Sequence, residues 1–295
     1  MSQSTQFWPF ILVGLLAACT PQTRPTPSPP ITRNPSIPTS PDSTRASART
    51  KLSIYQPGST RYAFQLQSVV QSVIGDSVPR VDSSRLTAIF SANYTPVPQS
   101  RFIRAFVATD SVTVSTLSAP VTAPLVLPNQ SYSLDIDPLS GKVTVGRTVQ
   151  TCSQEMLEGP FHGDEVTPAI PANSAQSWTD TSTYSGCRGG VSLRFTRVSN
   201  YRRDTIASSQ TGEPLVRVFR VVDVVVTGFG SQWQQAVQAT GHGTSTDTLT
   251  IRMTPPRLQS VSGSGRLELL FKSALRSQQF LQATTSQITA QPDTR

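Results

Sequence analysis

From residue 51 onward the apolar residues of this chain recur with a period of two rather than 3.6. They alternate with polar ones at Tyr62, Phe64 and Leu66, at Leu86, Ala88, Phe90 and Ala92, and at Val112 and Val114. Successive side chains of a strand point to opposite faces, so this pattern builds sheets with one apolar face. Further strand-like runs cover 102–109, 132–136, 142–145, 191–198, 216–227, 234–239, 248–253, 266–271 and 280–288. Asp137-Pro138-Leu139-Ser140-Gly141 joins two of them, and that turn chemistry predicts a hairpin. The reading is an all-β fold, mainly antiparallel, of about ten to twelve strands. One short helix is expected at 150–158, and a further helical turn near 275–280. A sandwich and an open half-barrel fit the pattern equally.

The N-terminus carries a different signal. Residues 7–16 (FWPFILVGLL) form an apolar stretch of ten, which suits the core of an export signal and is too short to cross a bilayer of roughly 30 Å as a helix. It closes on Leu16-Ala17-Ala18-Cys19, where two small residues precede a thiol. On these residues the chain resembles the bacterial cell-envelope lipoproteins, the likeness covering only about the first 20 positions. The n-region MSQSTQ departs from the pattern in having no Lys or Arg. The resemblance implies a signal peptide over 1–18, cleavage before Cys19 and membrane anchoring through acyl chains such as palmitate on that cysteine. Each buried methylene contributes about 0.8 kcal/mol, so two or three chains make a lasting anchor. Thr20 stands where lipoproteins of this kind kept in the inner membrane often carry Asp, so the outer membrane is expected, with its periplasmic and surface sides both open.

Residues 19–50 read as a tether after that cysteine. Eight of the chain's 24 prolines fall within 20–50 among many Ser and Thr, and Ile31 and Ile37 are the only larger aliphatic residues there. Such a composition buries too little apolar surface to offset its ordering entropy, and disorder is expected. The remainder, 51–295, is long enough for a real core, as one β domain with two blocks of similar strand spacing, 60–146 and 177–289, as a candidate duplication. Ile170-Pro171 followed by Ser177-Trp178-Thr179-Asp180 looks like the entry to a β domain of envelope lipoproteins, with Trp178 expected as a core plug at the sheet edge. With Cys19 assigned to lipid, Cys152 and Cys187 remain, an even count suited to a disulfide in an oxidising compartment. Bridging them closes a loop of about 35 residues, worth roughly 3 to 4 kcal/mol.

Charge adds little. Although the whole chain carries +8, residues 51–295 hold 21 basic and 16 acidic side chains, and the arginines are scattered. A concentrated basic face for nucleic acid is not apparent, and no nucleic-acid partner is expected. No G-x-S-x-G elbow, phosphate loop, H-E-x-x-H or dinucleotide fingerprint occurs. His162-Gly163-Asp164-Glu165 lies in a Gly/Pro-rich stretch and reads as solvated loop. His242 between Gly241 and Gly243 reads as an exposed turn. Asp135 and Asp137 lack the further carboxylates and closing Glu of a calcium loop. A noncatalytic protein without cofactor or metal is expected.

Two functions follow. In one, the sheet forms a concave pocket for a lipid or other hydrophobic ligand, and Phe64, Leu66, Phe90 and Phe106 are its candidate lining residues. In this the chain is similar to periplasmic carriers of the LolA and LppX type, solely as a tethered antiparallel β lipoprotein. In the other, a solid-cored module meets an envelope protein or glycan. A cavity of several hundred Å³ separates them.

Overall fold

The computed structural model describes residues 54–117, 125–126, 131–145, 167–172, 176–188, 191–208, 214–232 and 235–292. Cys19, Cys152, the helix expected at 150–158 and the His162–Glu165 cluster lie outside them, as does any statement on a bridge to Cys187. Twelve strands among the described residues form one antiparallel sheet: β1 (Gly58–Ile74), β2 (Arg80–Pro96), β3 (Ile103–Thr116), β4 (Leu125–Val126), β5 (Ser131–Ile136), β6 (Val143–Val145), β7 (Ser177–Arg188), β8 (Val191–Ser208), β9 (Pro214–Gln232), β10 (Gln235–Met253), β11 (Pro256–Lys272) and β12 (Ser277–Ala290). Their spatial order is β6-β5-β3-β2-β1-β12-β11-β10-β9-β8-β7, with β4 beside β3. The first and last long strands pair along Tyr62↔Ala290 to Ile74↔Gln278, so blocks 60–146 and 177–289 share one sheet.

Among the described residues there is no helix. Residues 275 and 276, expected as the start of a helical turn, instead connect β11 to β12, where the Ser273 hydroxyl accepts from the Arg276 amide at 3.1 Å. The runs 102–109 and 112–114 are one strand, β3, interrupted by a bulge. Ile89 faces Ser111 and Phe90 faces Thr109, leaving Asp110 as the extra residue. The extra residue resets the alternation so that Val107, Thr109, Val112 and Val114 are all buried.

Local chemistry explains the hairpin at 137–141. The Asp137 amide donates to the Lys142 carbonyl at 2.9 Å, and the Gly141 amide to the Asp137 carbonyl at 2.7 Å. Gly141 has φ +73°, and a Cβ there would strike the backbone of Ile170 and Pro171. Only glycine meets both conditions.

The sheet curls. Residues 167–172 touch both of its sides: the Ala172 amide donates to the Pro138 carbonyl at 3.2 Å, beside β5, and Trp178 Nε1 of β7 donates to the Ala169 carbonyl at 2.7 Å. A flat sheet separates those strands by about nine spacings of 4.8 Å, so only a curled one brings both to the same short segment. Ile54, Tyr55, Ala169 and Ile170 fill the end so formed, with the Tyr55 hydroxyl donating to the Pro168 carbonyl. Trp178 stacks on Tyr201 at 5.1 Å and 7°, with the Arg203 guanidinium 5.5 Å from its ring centre, and is the expected plug at an edge strand. The result is a half-barrel stoppered at one end.

Candidate functional site: a cleft on the concave face

Inward-facing residues divide into two apolar clusters. The larger, at the stoppered end, joins Tyr62, Phe64 and Phe90 to Val216, Val218, Leu249, Ile251 and Ile288. The smaller holds Tyr184, Leu193, Phe195, Val222, Val224, Val226, Leu269 and Phe271. A row of directly opposed residues runs between them, crossing the sheet as Tyr201, Arg220, Asp247, Gly263, Ser286 and Leu66. Arg220 and Asp247 are cross-strand neighbours and form a buried ion pair, Nε to Oδ2 at 2.8 Å, with side chains 10% and 8% exposed.

Burying two charges in an apolar face is costly unless they are paired and hydrogen-bonded. Burial works against the Arg220 charge, but the Asp247 carboxylate and the Tyr201 hydroxyl outweigh it and raise its pKa, so the guanidinium stays charged. Gly263 makes room for this pair: a Cβ there would collide with Asp247 Oδ1. Gly265, Ser245 and Thr284 continue the small or short inner positions on the next row.

Small residues around the ion pair leave a cleft of about 140 Å³. Its walls come from Phe64 and Leu66 of β1, Ile288 of β12, Val261 and Leu267 of β11, and Val222 and Val224 of β9. Its polar side chains include Arg197, Arg220, Asp247 and Gln282. Arg197 Nε donates to the Ser182 hydroxyl at 3.1 Å, and its guanidinium lies 5.7 Å from the Tyr184 ring centre. Gln282 Nε2 donates to the Ser68 hydroxyl at 2.9 Å. The Ser199 hydroxyl, on the inner face of β8 between the Arg197 and Tyr201 positions, is fully buried with no hydrogen-bond partner among the described residues.

Of the four residues expected to line a pocket, Phe64 and Leu66 do so. Phe90 lies in the core, 1% exposed, with its ring 5.7 Å from that of Phe64. Phe106 is a correction: it is 48% exposed on the convex face, because Ala105 and Val107 take the inward positions of β3. The small inner side chain of Ala105 faces Tyr94, and Val107 faces Ala92, across the β2 pairing.

His242 is a second correction. Instead of sitting in a turn it lies within β10, pointing outward, 3.9 Å from Glu268 on β11. The flanking glycines are the inward positions of an unbroken strand whose two apolar ends read as separate runs. Asp135 and Asp137 are held by arginines. Arg104 grips Asp135 through two bonds of 2.8 and 3.1 Å, and those bonds hold its carboxyl below the usual range. Desolvation pushes the Asp137 carboxyl up, but the Leu139 amide, the Ser140 groups and Arg101 prevail and lower it. Both carboxylates are thus engaged by guanidiniums.

Sequence reasoning missed Arg220, Asp247 and Arg197. The available signal was a charge at an inward position of an otherwise apolar alternation, Val216-Val218-Arg220-Val222-Val224. No protein-family model matches the chain, and no curated protein matches its sequence. Among solved structures it is similar to a LolA superfamily protein from Nitrosomonas europaea, at 9% identity over 75% of this chain and 83% of that one, with a TM-score of 0.14. A superposition that loose says nothing about what this chain binds.

Proposed function

We propose that the protein is a noncatalytic envelope lipoprotein that binds a lipid or other hydrophobic ligand in the concave cleft of its half-barrel. The observation that carries this reading is the cleft itself, apolar on both sides of a buried ion pair and reaching from β1 to β7. Sites for small molecules are mostly apolar concavities with a few placed polar groups, and this one matches that description. The lipobox Leu16-Ala17-Ala18-Cys19 supports anchoring by acylated Cys19, with residues 20–50 as spacer and the outer membrane as destination. Replacing Cys19 with Ser is expected to release the protein from membranes, and unchanged retention would sink the anchoring.

The size of the cleft favours a second reading. At about 140 Å³ it is smaller than the roughly 300 to 1,000 Å³ of ordinary ligand pockets, as a module that meets a protein or glycan partner would have it. Native mass spectrometry with organic extraction of the chain carrying Cys19→Ala, which has no acyl group of its own, separates the two. A reproducible extractable lipid mass is expected; a clean apo mass, repeated after incubation with envelope lipids, would favour the interaction module.

A further inference from the structure

We propose that the ligand of this cleft is a single-chain amphiphile with an anionic headgroup, received by the guanidiniums of Arg197 and Arg220. This rests on the ligand-binding reading above and names the ligand class. Three observations carry it: the charges on the wall, the free capacity of one guanidinium and the volume.

Among the described residues, the charged side chains on the inner wall are two arginines and one carboxylate, Arg197, Arg220 and Asp247. The remaining charged position at the cleft, Arg266, follows the inward Gly265 and turns its side chain to the convex face, 266 being exposed. The wall therefore carries one excess positive charge within an apolar surround, where Coulomb interactions are stronger than in water. A cationic headgroup would meet two like charges. A neutral one would strip water from the arginines without replacing it with charge.

A guanidinium has five N–H donors in a planar fork and suits carboxylate or phosphate oxygens. Arg220 engages Asp247 through Nε in a single 2.8 Å contact, with the Tyr201 hydroxyl as a further partner, so its fork is not consumed by the ion pair. Asp247 keeps Arg220 charged and fixed when the cleft is empty, which reduces the cost of holding a buried cation ready. The buried Ser199 hydroxyl adds a polar group without a partner among the described residues, on the same stretch of β8 as Arg197 and Tyr201.

Volume limits the chain. An apolar cavity of about 150 Å³ takes one benzene-sized group. At about 140 Å³ the cleft accepts one acyl segment and not two side by side.

The test uses the whole chain carrying Cys19→Ala, so that no acyl group of its own competes. Laurate, dodecanol and dodecyltrimethylammonium are titrated by calorimetry and native mass spectrometry. Laurate is expected to bind about tenfold or more tightly than dodecanol, the scale of one charge-assisted hydrogen bond, and the cationic amphiphile weakest. Arg197→Met is expected to bring laurate down to the dodecanol level with dodecanol unchanged, and Arg197→Lys to retain most of the preference. Equal binding of all three probes, or tightest binding of the cation, overturns the headgroup assignment and leaves the apolar cleft standing. Binding of none of them overturns the ligand-binding reading as well. Should Arg197→Met fail to fold, the three probes on the chain with Arg197 intact and the Lys variant decide.

Discussion

The two ends of the half-barrel are built from the same alternating strands yet are packed differently. At the stoppered end the core draws on β1, β2, β3, β5 and β8 to β12, and it closes over Ile54, Tyr55, Ala169 and Ile170. At the other end the cluster draws on β7 to β12 alone, while β1, β2 and their connection leave Val69, Ile74, Val78 and Val81 exposed. The difference lies in what crosses the mouth. Where a short segment ties the two sides together the concave face becomes solid core, and where none of the described residues does so it stays shallow. The Arg220–Asp247 row marks the border, and the cleft lies along it.

Substitutions on either side of the border put that contrast to the test. Arg220→Met strands a buried carboxylate and should cost about 3 to 5 kcal/mol in denaturant unfolding. Adding Asp247→Leu should recover most of the loss, and a double variant as unstable as the single one would mean that the pair does not act as a unit. Phe90→Ala, in the solid end, should cost about 3 to 5 kcal/mol. Leu269→Ala in the shallower cluster should fall in the lower part of the about 2 to 5 kcal/mol range for such truncations. Native-state hydrogen exchange checks the same contrast without mutation: amides of β1 near Tyr62 should outlast those near Val73, and uniform protection along β1 would contradict it.

The solid end also sets an alkaline limit. Burial pushes the Tyr62 phenol up to about 12, and drives Tyr55 and Tyr94 up as well. A folded pKa above the ordinary value of about 10 means that this stability is complete below about pH 10 and is lost as pH rises toward about 12. Phenolate absorbance and circular dichroism should change together in that interval. Titration of all the tyrosines near pH 10 with the fold intact would refute the burial argument.

Gly141→Ala should cost about 1 to 3 kcal/mol, because positive φ and the Ile170–Pro171 backbone both oppose a Cβ. The smallest effect is expected for Phe106→Ser on the convex face: stability within about 0.5 kcal/mol and ligand binding unchanged. A loss of binding there would place the site on the wrong face.

Much of the sheet was legible because each strand carries its own alternation. The hairpin at 137–141 was legible from turn chemistry, and Trp178 from its place beside Ile170-Pro171. Less legible are residues that serve a neighbour rather than their own strand. Gly241 and Gly243 resemble a turn in sequence, yet they are inward positions of β10 opposite Leu269 and Leu267. Asp110 breaks the alternation of β3 because it is the extra residue of a bulge, where its carboxylate accepts from Arg61 at 2.8 Å. A run of apolar residues across 102–109 does not reveal which parity is inward, and Phe106 takes the outward one.

An all-β antiparallel chain with its apolar residues on one face follows from local sequence, since the period of two is a property of each strand. Tertiary structure alone decided the curl, the stopper and the cleft. Arg220 and Asp247 are 27 residues apart, and only the registers of β9, β10 and β11 set them side by side over the space that Gly263 leaves. Register and curvature arise from contacts between distant strands, and no window of sequence contains them.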